Sequence, residues 1–265
     1  MMFYMKRKFF NLSFGLLSVF LLVSCIDNDY DDIYVSYGVI KNVNSKNDYE
    51  ILTDKGNTLI VSKSYTSQKI ENDKRVLVNY ELLSDDGRNK NAFEVKVNGF
   101  YSLLSKPFVN ESFILQKEEH RRDSIGNDPF NEIYTWFGGD FLNINFDVYH
   151  SRYSGKSHMI NLIYDDIRSD SDTIYLTLRH NAYGEVPGKV HDLYRGIGRS
   201  SFKIADLLPD GVTSKAINIT WLQYEDYSLR TKEYSKTAIF KLGDTADADK
   251  STFKNAGFDT SIEIN

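Results

Sequence analysis

Short segments in which apolar and polar residues alternate dominate the chain from residue 33 onwards. In the first half, these segments cover residues 33–43, 49–53, 58–62, 75–82 and 93–97. A period of two places successive side chains on opposite faces of a strand, whereas a helix has a period of about 3.6. Five consecutive strands are what a small closed barrel of the oligonucleotide/oligosaccharide-binding (OB) type requires. The pattern therefore predicts such a barrel.

The second half repeats the alternation in further segments. Gly138-Gly139 predicts a hairpin turn before a strand at residues 142–149. More predicted strands follow at residues 160–164, 173–179, 202–204, 217–221 and 238–242. Because no helical period separates them, we predict an antiparallel β-sandwich. The predicted fold class is all-β, a five-stranded OB-like barrel followed by this sandwich.

A polar, charged stretch between residues 106 and 129 separates the two patterns. Phe113, Ile114 and Leu115 within it are predicted to begin the sandwich as a strand, so the boundary is placed before them. This divides the chain into a barrel domain at residues 33–109, a sandwich domain at residues 110–243 and a polar tail at residues 244–265. The charged run at residues 117–123 is a short helix or a solvated loop, with a ligand site as the weakest alternative.

The amino terminus has the features of a secretion signal. Lys6, Arg7 and Lys8 precede an apolar run at residues 9–23. That run is shorter than the ~20 residues of a membrane-spanning helix. We therefore predict that residues 1–24 form a signal peptide that is removed.

The four residues that end the apolar run have a pattern of their own. Leu22, Val23, Ser24 and Cys25 resemble the lipobox of bacterial lipoproteins. The resemblance implies that the Cys25 thiol is lipidated and that the preceding bond is cut. The membrane is then a partner through this anchor, and we expect the protein at the outer membrane or the cell surface. Two or more acyl chains give durable attachment.

Four aspartates follow within residues 27–32, with little to bury. Such a segment is typical of a solvated tether, which we assign to residues 25–32. Acidic residues directly after a lipidated cysteine also resemble the signals that send lipoproteins to the outer cell surface. The two interpretations are compatible.

Charge and cysteine content exclude several classes of partner and chemistry. The formal charge is −5 with the three cations of the signal included, and no basic block offsets it, so nucleic acid is an unfavourable partner. Cys25 is the only cysteine, which rules out an intramolecular disulfide and, once lipidated, a cysteine nucleophile. Stability must then come from packing.

No spacing typical of a catalytic or metal site is present. The histidines are at least eight residues apart, so a zinc site would need their convergence in three dimensions. They are His120, His150, His158, His180 and His191. The carboxylate pairs are most simply solvated turns, with a glycosidase pair as the alternative. They are Asp165 with Asp166 and Asp170 with Asp172. We predict no catalytic residue, no metal and no cofactor.

One stretch resembles a known family. Its first part consists of Asp123, Ser124, Ile125, Gly126, Asn127, Asp128 and Pro129. With Trp136 and the glycine pair that follows, it resembles the domain-junction signature of the NigD-like lipoproteins. Upstream, residues 75–80 and 95–98 resemble the same family's first domain. The resemblance implies an OB-type barrel followed by a β-sandwich, with no catalytic residues. The namesake of the family, which lies in a bacteriocin gene cluster, suggests an immunity or accessory role.

The junction motif also has a structural interpretation. Gly126 permits a turn, Asn127 and Asp128 can bond nearby amides, and Pro129 fixes φ. A hinge or turn is therefore favoured over a binding role. Trp136 and Trp221 are most simply packing residues, with a sugar-stacking platform as the alternative.

These observations favour a lipid-anchored, non-catalytic binding module. Its ligand would be an extracellular protein, peptide or glycan, and a bacteriocin-related role is the specific version that the resemblance suggests. A structural or assembly component of the envelope is one alternative. A hydrolase of an extracellular polymer is the other, because all-β folds also carry carboxylate chemistry.

Overall fold

The computed structural model describes residues 33–84, 91–116, 125–225 and 229–243. Several predicted features lie outside these residues, so they remain predictions. They are the signal peptide, the lipobox with Cys25, the acidic tether, the charged run at residues 117–123, Asp123 and Ser124 of the junction motif, and the polar tail.

A closed five-stranded barrel forms the first half of the described chain. Its strands, which adjoin in the order β1-β2-β3-β5-β4, are β1 (Ile33–Lys41), β2 (Glu50–Thr53), β3 (Thr58–Ser64), β4 (Arg75–Ser84) and β5 (Ala92–Ser102). Pairing of β4 with β1 closes the barrel, and β3 pairs with β5 in parallel. Alternate side chains fill the interior, among them Val76, Val78 and Val95, which are wholly buried. The predicted barrel is confirmed.

Two facing sheets form the second half. Their strands are β6 (Val109–Asn110), β7 (Glu132–Gly138), β8 (Phe141–Ser151), β9 (Met159–Tyr164), β10 (Thr173–Asn181), β11 (Leu193–Phe202), β12 (Ser214–Tyr224) and β13 (Thr231–Lys241). One sheet has the order β13-β12-β10-β9-β6 and the other β11-β8-β7. Apolar side chains from both sheets form one core, which includes Phe130, Phe146, Phe202 and Phe240.

The predicted all-β class is confirmed, but the sandwich is not wholly antiparallel. β10 pairs with β12 in parallel, and β6 pairs with β9 in parallel. The chain leaves β10, crosses to the other sheet as β11 and returns as β12. Two strands joined by such a crossover run in the same direction, whereas two strands joined by a hairpin run in opposite directions.

Two local predictions are wrong. Residues 113–115, predicted as a strand, lie in a short helix, α1 (Glu111–Gln116), in which only Ile114 is buried. The amide of Ser112 donates to a carboxylate oxygen of Asp166 at 2.8 Å, which provides a partner at the start of the helix. Ile204, predicted to lie in a strand, begins a 3-10 helix (Ile204–Leu207). Short apolar runs do not distinguish strand from helix.

None of the helices within the described ranges is long and apolar enough to cross a bilayer.

Candidate functional site

A buried arginine joins the barrel to the sandwich. Arg75, the first residue of β4, is 2% exposed. Its two terminal nitrogens donate to the two carboxylate oxygens of Asp54, at 2.6 and 2.5 Å. Asp54 lies in the turn between β2 and β3, directly after Thr53. A paired, two-point contact of this kind is the strongest arrangement available to an arginine and a carboxylate.

The sandwich completes the coordination of the same guanidinium. Arg75 Nε donates to Ser201 Oγ at 2.9 Å, and Nη2 donates to Asn143 Oδ1 at 2.9 Å. Asn143 Nδ2 in turn donates to Asp54 Oδ2 at 3.0 Å, and Ser201 Oγ donates to Asn143 Oδ1 at 2.8 Å. We call Asp54, Arg75, Asn143 and Ser201 the interdomain clasp. Because its members bond one another, each buried polar group is compensated.

Aromatic rings surround the clasp. The guanidinium lies 4.2 Å from the centroid of Phe141 and 5.7 Å from that of Tyr37. The Tyr37 hydroxyl donates to Asn145 of the sandwich at 3.2 Å. Burial raises the pKa of Tyr37 to about 12, although Arg199 and Arg75 act in the opposite direction. Trp136 packs edge-on against Tyr37, with ring centroids 5.2 Å apart. The interface is thus both polar and apolar.

A cleft of about 800 Å³ opens beside the clasp, between the barrel and the sandwich. Apolar side chains from both domains contribute to its lining, as does the segment at residues 105–108 that links the domains. The apolar members are Val39, Leu52, Pro107, Phe108, Phe141 and Leu207. Asp54 also lines the cleft, so the clasp forms part of its wall. A cleft of this size with a partly apolar lining is typical of a ligand-binding site.

The charges around the cleft are nearly balanced. Three lysines and four aspartates line it. Lys41 pairs with Asp73 at 2.5 Å, and Lys203 pairs with Asp206 at 2.8 Å. The hydrogen bond from Lys41 holds the pKa of Asp73 below its usual value. Because cations and anions alternate, the cleft does not present the single-sign surface that a polyanion requires.

A second polar cluster is buried at one end of the sandwich. His158, His180 and Glu185 are at most 3% exposed. Nε2 of His180 lies 3.0 Å from Nδ1 of His158, and Nε2 of His158 lies 3.3 Å from Glu185 Oε2. The amide of Ser151 donates to the same carboxylate oxygen at 2.6 Å. We call the three side chains the histidine cluster.

Burial keeps the histidine cluster free of positive charge. Burial, with a smaller contribution from His158, lowers the pKa of His180 to about 3. Burial also lowers the pKa of His158. Burial alone would raise the pKa of Glu185, but hydrogen bonds from Ser154, Ser151 and His158 outweigh it, so the net pKa is lowered. At neutral pH the cluster therefore contains two neutral imidazoles and one carboxylate.

The described part of the junction motif is a turn that lies against the histidine cluster. The Asp128 amide donates to the carbonyl of His180 at 2.8 Å, and the Ala182 amide donates to Asp128 Oδ2 at 2.7 Å. Gly126 has φ +73°, and a β-carbon there would lie 2.7 Å from His180 O. Phe130, just after the motif, bonds the backbone of β12 through Leu222 and Tyr224. The motif thus fills the gap between the ends of β10 and β12.

The two tryptophans occupy different environments. Trp221 is 8% exposed, belongs to the sandwich core and stacks on Tyr234 with centroids 6.3 Å apart. Its Nε1 donates to Gln223 at 2.9 Å. Little of this ring is available for a sugar to stack on. Trp136 is half-buried and packs with Tyr37, Leu77 and Leu103 between the domains.

Neither a metal site nor a catalytic carboxylate pair is evident among the described side chains. Nowhere in residues 33–84, 91–116, 125–225 and 229–243 do three or more His, Cys, Asp or Glu side chains gather in a metal-binding arrangement. Asp166 bonds Ser112, and the Asp170 carboxylate accepts from the amides of Asp172 and Thr173 at 2.8 Å. These aspartates have the turn and capping contacts expected of solvated loops.

The sequence pattern missed the clasp and the histidine cluster. Arg75 lies on the face of β4 opposite the buried Val76 and Val78, where simple alternation predicts exposed side chains, yet the sandwich covers it. A signal was present, because Leu77 is apolar on that same face and is 4% exposed. His158 and His180 are 22 residues apart and converge because β9 and β10 pair with Ile160 opposite His180.

Fold and site together define a two-domain all-β protein, an OB-type barrel clasped to a β-sandwich with a cleft between them. The chain belongs to the NigD-like family. Residues 37–103 match the NigD-like N-terminal OB domain, and residues 112–235 match the NigD-like C-terminal beta sandwich domain. The predicted resemblance of the chain to the NigD-like family is thereby confirmed.

Several crystal structures share this fold. A protein described as toxin-related from Parabacteroides distasonis is 26% identical, with a TM-score of 0.60, over 78% of this chain and 93% of that chain. A NigD-like immunity protein from Bacteroides caccae is 20% identical, with a TM-score of 0.57, over 77% of this chain and 92% of that chain. A protein described as a lipoprotein from Bacteroides fragilis is 13% identical, with a TM-score of 0.58, over 80% of this chain and 100% of that chain. No curated protein matches the chain.

Proposed function

We propose that this protein is a lipid-anchored module of the cell envelope that binds a partner without catalysis, and that the cleft between barrel and sandwich is its binding site. The observation that carries the proposal is the clasp in the wall of the cleft. Asp54, Arg75, Asn143 and Ser201 fix the two domains relative to each other. A preformed site loses less entropy on binding than one that must assemble.

The lining of the cleft favours a peptide or protein segment over the other candidate ligands. The apolar side chains, such as Leu52 and Phe108, can bury apolar groups of a ligand. The paired charges of Lys41 with Asp73 and of Lys203 with Asp206 can bond both carbonyls and amides at the rim. A glycan remains the alternative, and nucleic acid is disfavoured because the charges are balanced.

Non-catalytic binding is supported by the environment of three of the four carboxylates that line the cleft. A glycosidase needs one carboxylic acid with a raised pKa as its general acid. Asp54 is engaged by Arg75, the pKa of Asp73 is lowered by Lys41, and Asp206 is paired with Lys203. Each of these three carboxylates is thus engaged in an ion pair with a neighbouring cation.

The membrane anchor rests on the sequence and is consistent with a relative described as a lipoprotein. Within this function, the NigD-like immunity protein of similar fold suggests a bacteriocin-related accessory or immunity role. Expression in a bacteriocin-sensitive strain tests that version. Killing that is unchanged by expression would contradict it.

Site-specific photo-cross-linking on intact cells tests the binding site. The photoreactive residue p-benzoylphenylalanine replaces Leu52 in the cleft or, as a matched control, Ile197 on β11. Both side chains are exposed, at 44% and 54%. We expect a cross-linked partner with the Leu52 variant alone, and its loss when Cys25→Ala removes the anchor. Equal cross-linking at both positions would contradict the assignment of the cleft.

A further inference from the structure

Exposed apolar side chains gather at one end of the barrel, where β1 begins and β4 ends. Ile33 is 63% exposed, Val35 39% and Leu83 43%. Ile33 is paired with Glu81, and Val35 with Asn79. Paired residues, and residues two apart along a strand, share a face of the sheet. The three apolar side chains are therefore on the outer face of the barrel, at its end.

Basic and aromatic side chains adjoin these apolar residues. Strand pairing continues the row from Ile33 and Glu81 to Lys96 on β5 and Lys63 on β3. Tyr65, two residues after Lys63, is 69% exposed, with its ring 5.9 Å from the amine of Lys96. Lysine and tyrosine both combine an apolar body with a polar end, and both are favoured where protein meets the lipid headgroups. We call Ile33, Val35, Lys63, Tyr65 and Leu83 the barrel-end patch.

We propose that the barrel-end patch rests in the headgroup layer of the membrane that carries the lipid anchor. The inference rests on the proposed lipidation of Cys25, from which residues 25–32 lead directly to Ile33. Eight extended residues span at most about 28 Å. Among the described residues, Ile33 is the nearest along the chain to the anchor, so the patch is held close to the bilayer.

Because the tether already holds the protein at the membrane, a small apolar patch is sufficient to orient it there. A patch of a few side chains buries too little apolar area to hold a free protein on a membrane. An anchor attached through a short segment converts contact with the membrane into an intramolecular event with a high effective concentration. The patch then does not hold the protein on the membrane, but sets its orientation there.

The orientation has a consequence for the cleft. Lys41, at the opposite end of β1 from Ile33, lines the cleft. At about 3.3 Å per residue, the two ends of this nine-residue strand are roughly 26 Å apart. A barrel that rests on the membrane through Ile33 therefore carries the cleft away from the bilayer, towards partners in solution.

The test places a fluorophore on the full, lipidated chain in vesicles of phosphatidylethanolamine and phosphatidylglycerol. Cys25 is the only cysteine, so with its thiol lipidated an introduced cysteine is the only reactive thiol. Leu83→Cys labels the patch, and Ile197→Cys labels an exposed position of the sandwich as a control. Quenching by headgroup-nitroxide lipid is compared with quenching by aqueous iodide.

We expect nitroxide lipid to quench the Leu83→Cys label at least twofold more than the Ile197→Cys label, with iodide showing the opposite order. Ile33→Ser combined with Val35→Ser should abolish that difference while the protein still floats with the vesicles. Equal quenching at both positions would overturn the proposal. Protection from iodide without quenching by lipid would also overturn it, since another protein or a second copy would then cover the patch.

The two proposals fail in different ways. If the wild-type chain does not float with vesicles and incorporates no fatty acid, the proposed lipid anchor is wrong. The proposed orientation, which depends on the anchor, is then wrong as well. If the chain floats and the Leu83→Cys label is fully open to iodide, the anchor holds and the barrel-end patch is not a membrane contact.

Discussion

Arg75 of the barrel donates a hydrogen bond from Nε to Ser201 Oγ of the sandwich, 2.9 Å away. The same guanidinium binds Asp54 of its own domain through both terminal nitrogens. A positive charge belonging to one domain is thus desolvated by the other and compensated by both. The interface is therefore an integral part of the folded unit, and the cleft beside it is set by the same contacts.

Loss of the clasp cation should strongly destabilise the protein. Arg75→Met leaves the Asp54 carboxylate, 11% exposed, without its partner. Breaking a buried ion pair in this way typically costs about 3–5 kcal/mol. We expect a matching fall in the free energy of unfolding, measured by urea denaturation.

Lys41→Met is the matched control, because it removes a cation from the exposed pair with Asp73. Exposed pairs contribute little, so its unfolding midpoint should be nearly unchanged. Similar losses in the free energy of unfolding for the two variants would show that burial does not make the clasp ion pair contribute more to stability than the exposed pair. Arg75→Met combined with Asp54→Asn should recover part of the loss, since no charge is then left unpaired.

A side chain at Gly126 should loosen the junction turn. In Gly126→Ala, a positive φ is combined with a β-carbon 2.7 Å from His180 O and from Asn181 Cβ. Backbone strain and overpacking together should cost about 2–4 kcal/mol. Gly155→Ala has a similar φ of +63° but open space around its β-carbon. The midpoint of thermal unfolding of Gly126→Ala should be well below that of Gly155→Ala. Equal midpoints would rule out the steric clash.

The histidine cluster should make stability depend on pH. The pKa of His180 is about 3 in the folded state, against an ordinary value of 6.5. Between these values the unfolded chain binds a proton that the folded chain does not, so stability falls as pH falls from about 6.5 towards 3. The limiting slope for one such group is about 1.4 kcal/mol per pH unit.

Urea midpoints between pH 4 and pH 7.5 measure this dependence. His180→Gln should flatten it, because glutamine has no titrating group. The exposed His191→Gln should follow the wild-type curve. A His180→Gln protein as acid-sensitive as the wild type would show that the cluster does not cause the effect.

Trp221 should behave as a core residue. In Trp136→Phe, Trp221 is the only indole, and since it is 8% exposed, acrylamide should quench its fluorescence weakly. Addition of glycans should leave its emission unchanged. A spectral shift on addition of a glycan would instead support the sugar-stacking alternative for this residue. Trp221→Phe, which leaves the half-buried Trp136, is the companion variant.

The alternating pattern was sufficient to predict the all-β class and the five strands of the barrel. Alternation at every second residue identifies the barrel strands, and the interior positions Val76, Val78 and Val95 are buried as that alternation requires. The alternation of side chains between the two faces of a strand is a local feature of the sequence, so a local pattern predicts it. The junction motif was recognised by its resemblance to the NigD-like lipoproteins, and it could be interpreted as a turn because a turn is built from consecutive residues.

Which polar residues contact one another depends on the packing of the two domains and of the sheets. Arg75 and Ser201 are 126 positions apart, and no local rule reveals that the polar face of one domain is covered by the other. His158 and His180 meet only through the pairing of β9 with β10, and the parallel pair of β10 and β12 follows from a crossover between sheets. Burial and hydrogen-bond partners depend on the packing of distant segments, and a local pattern does not contain that information.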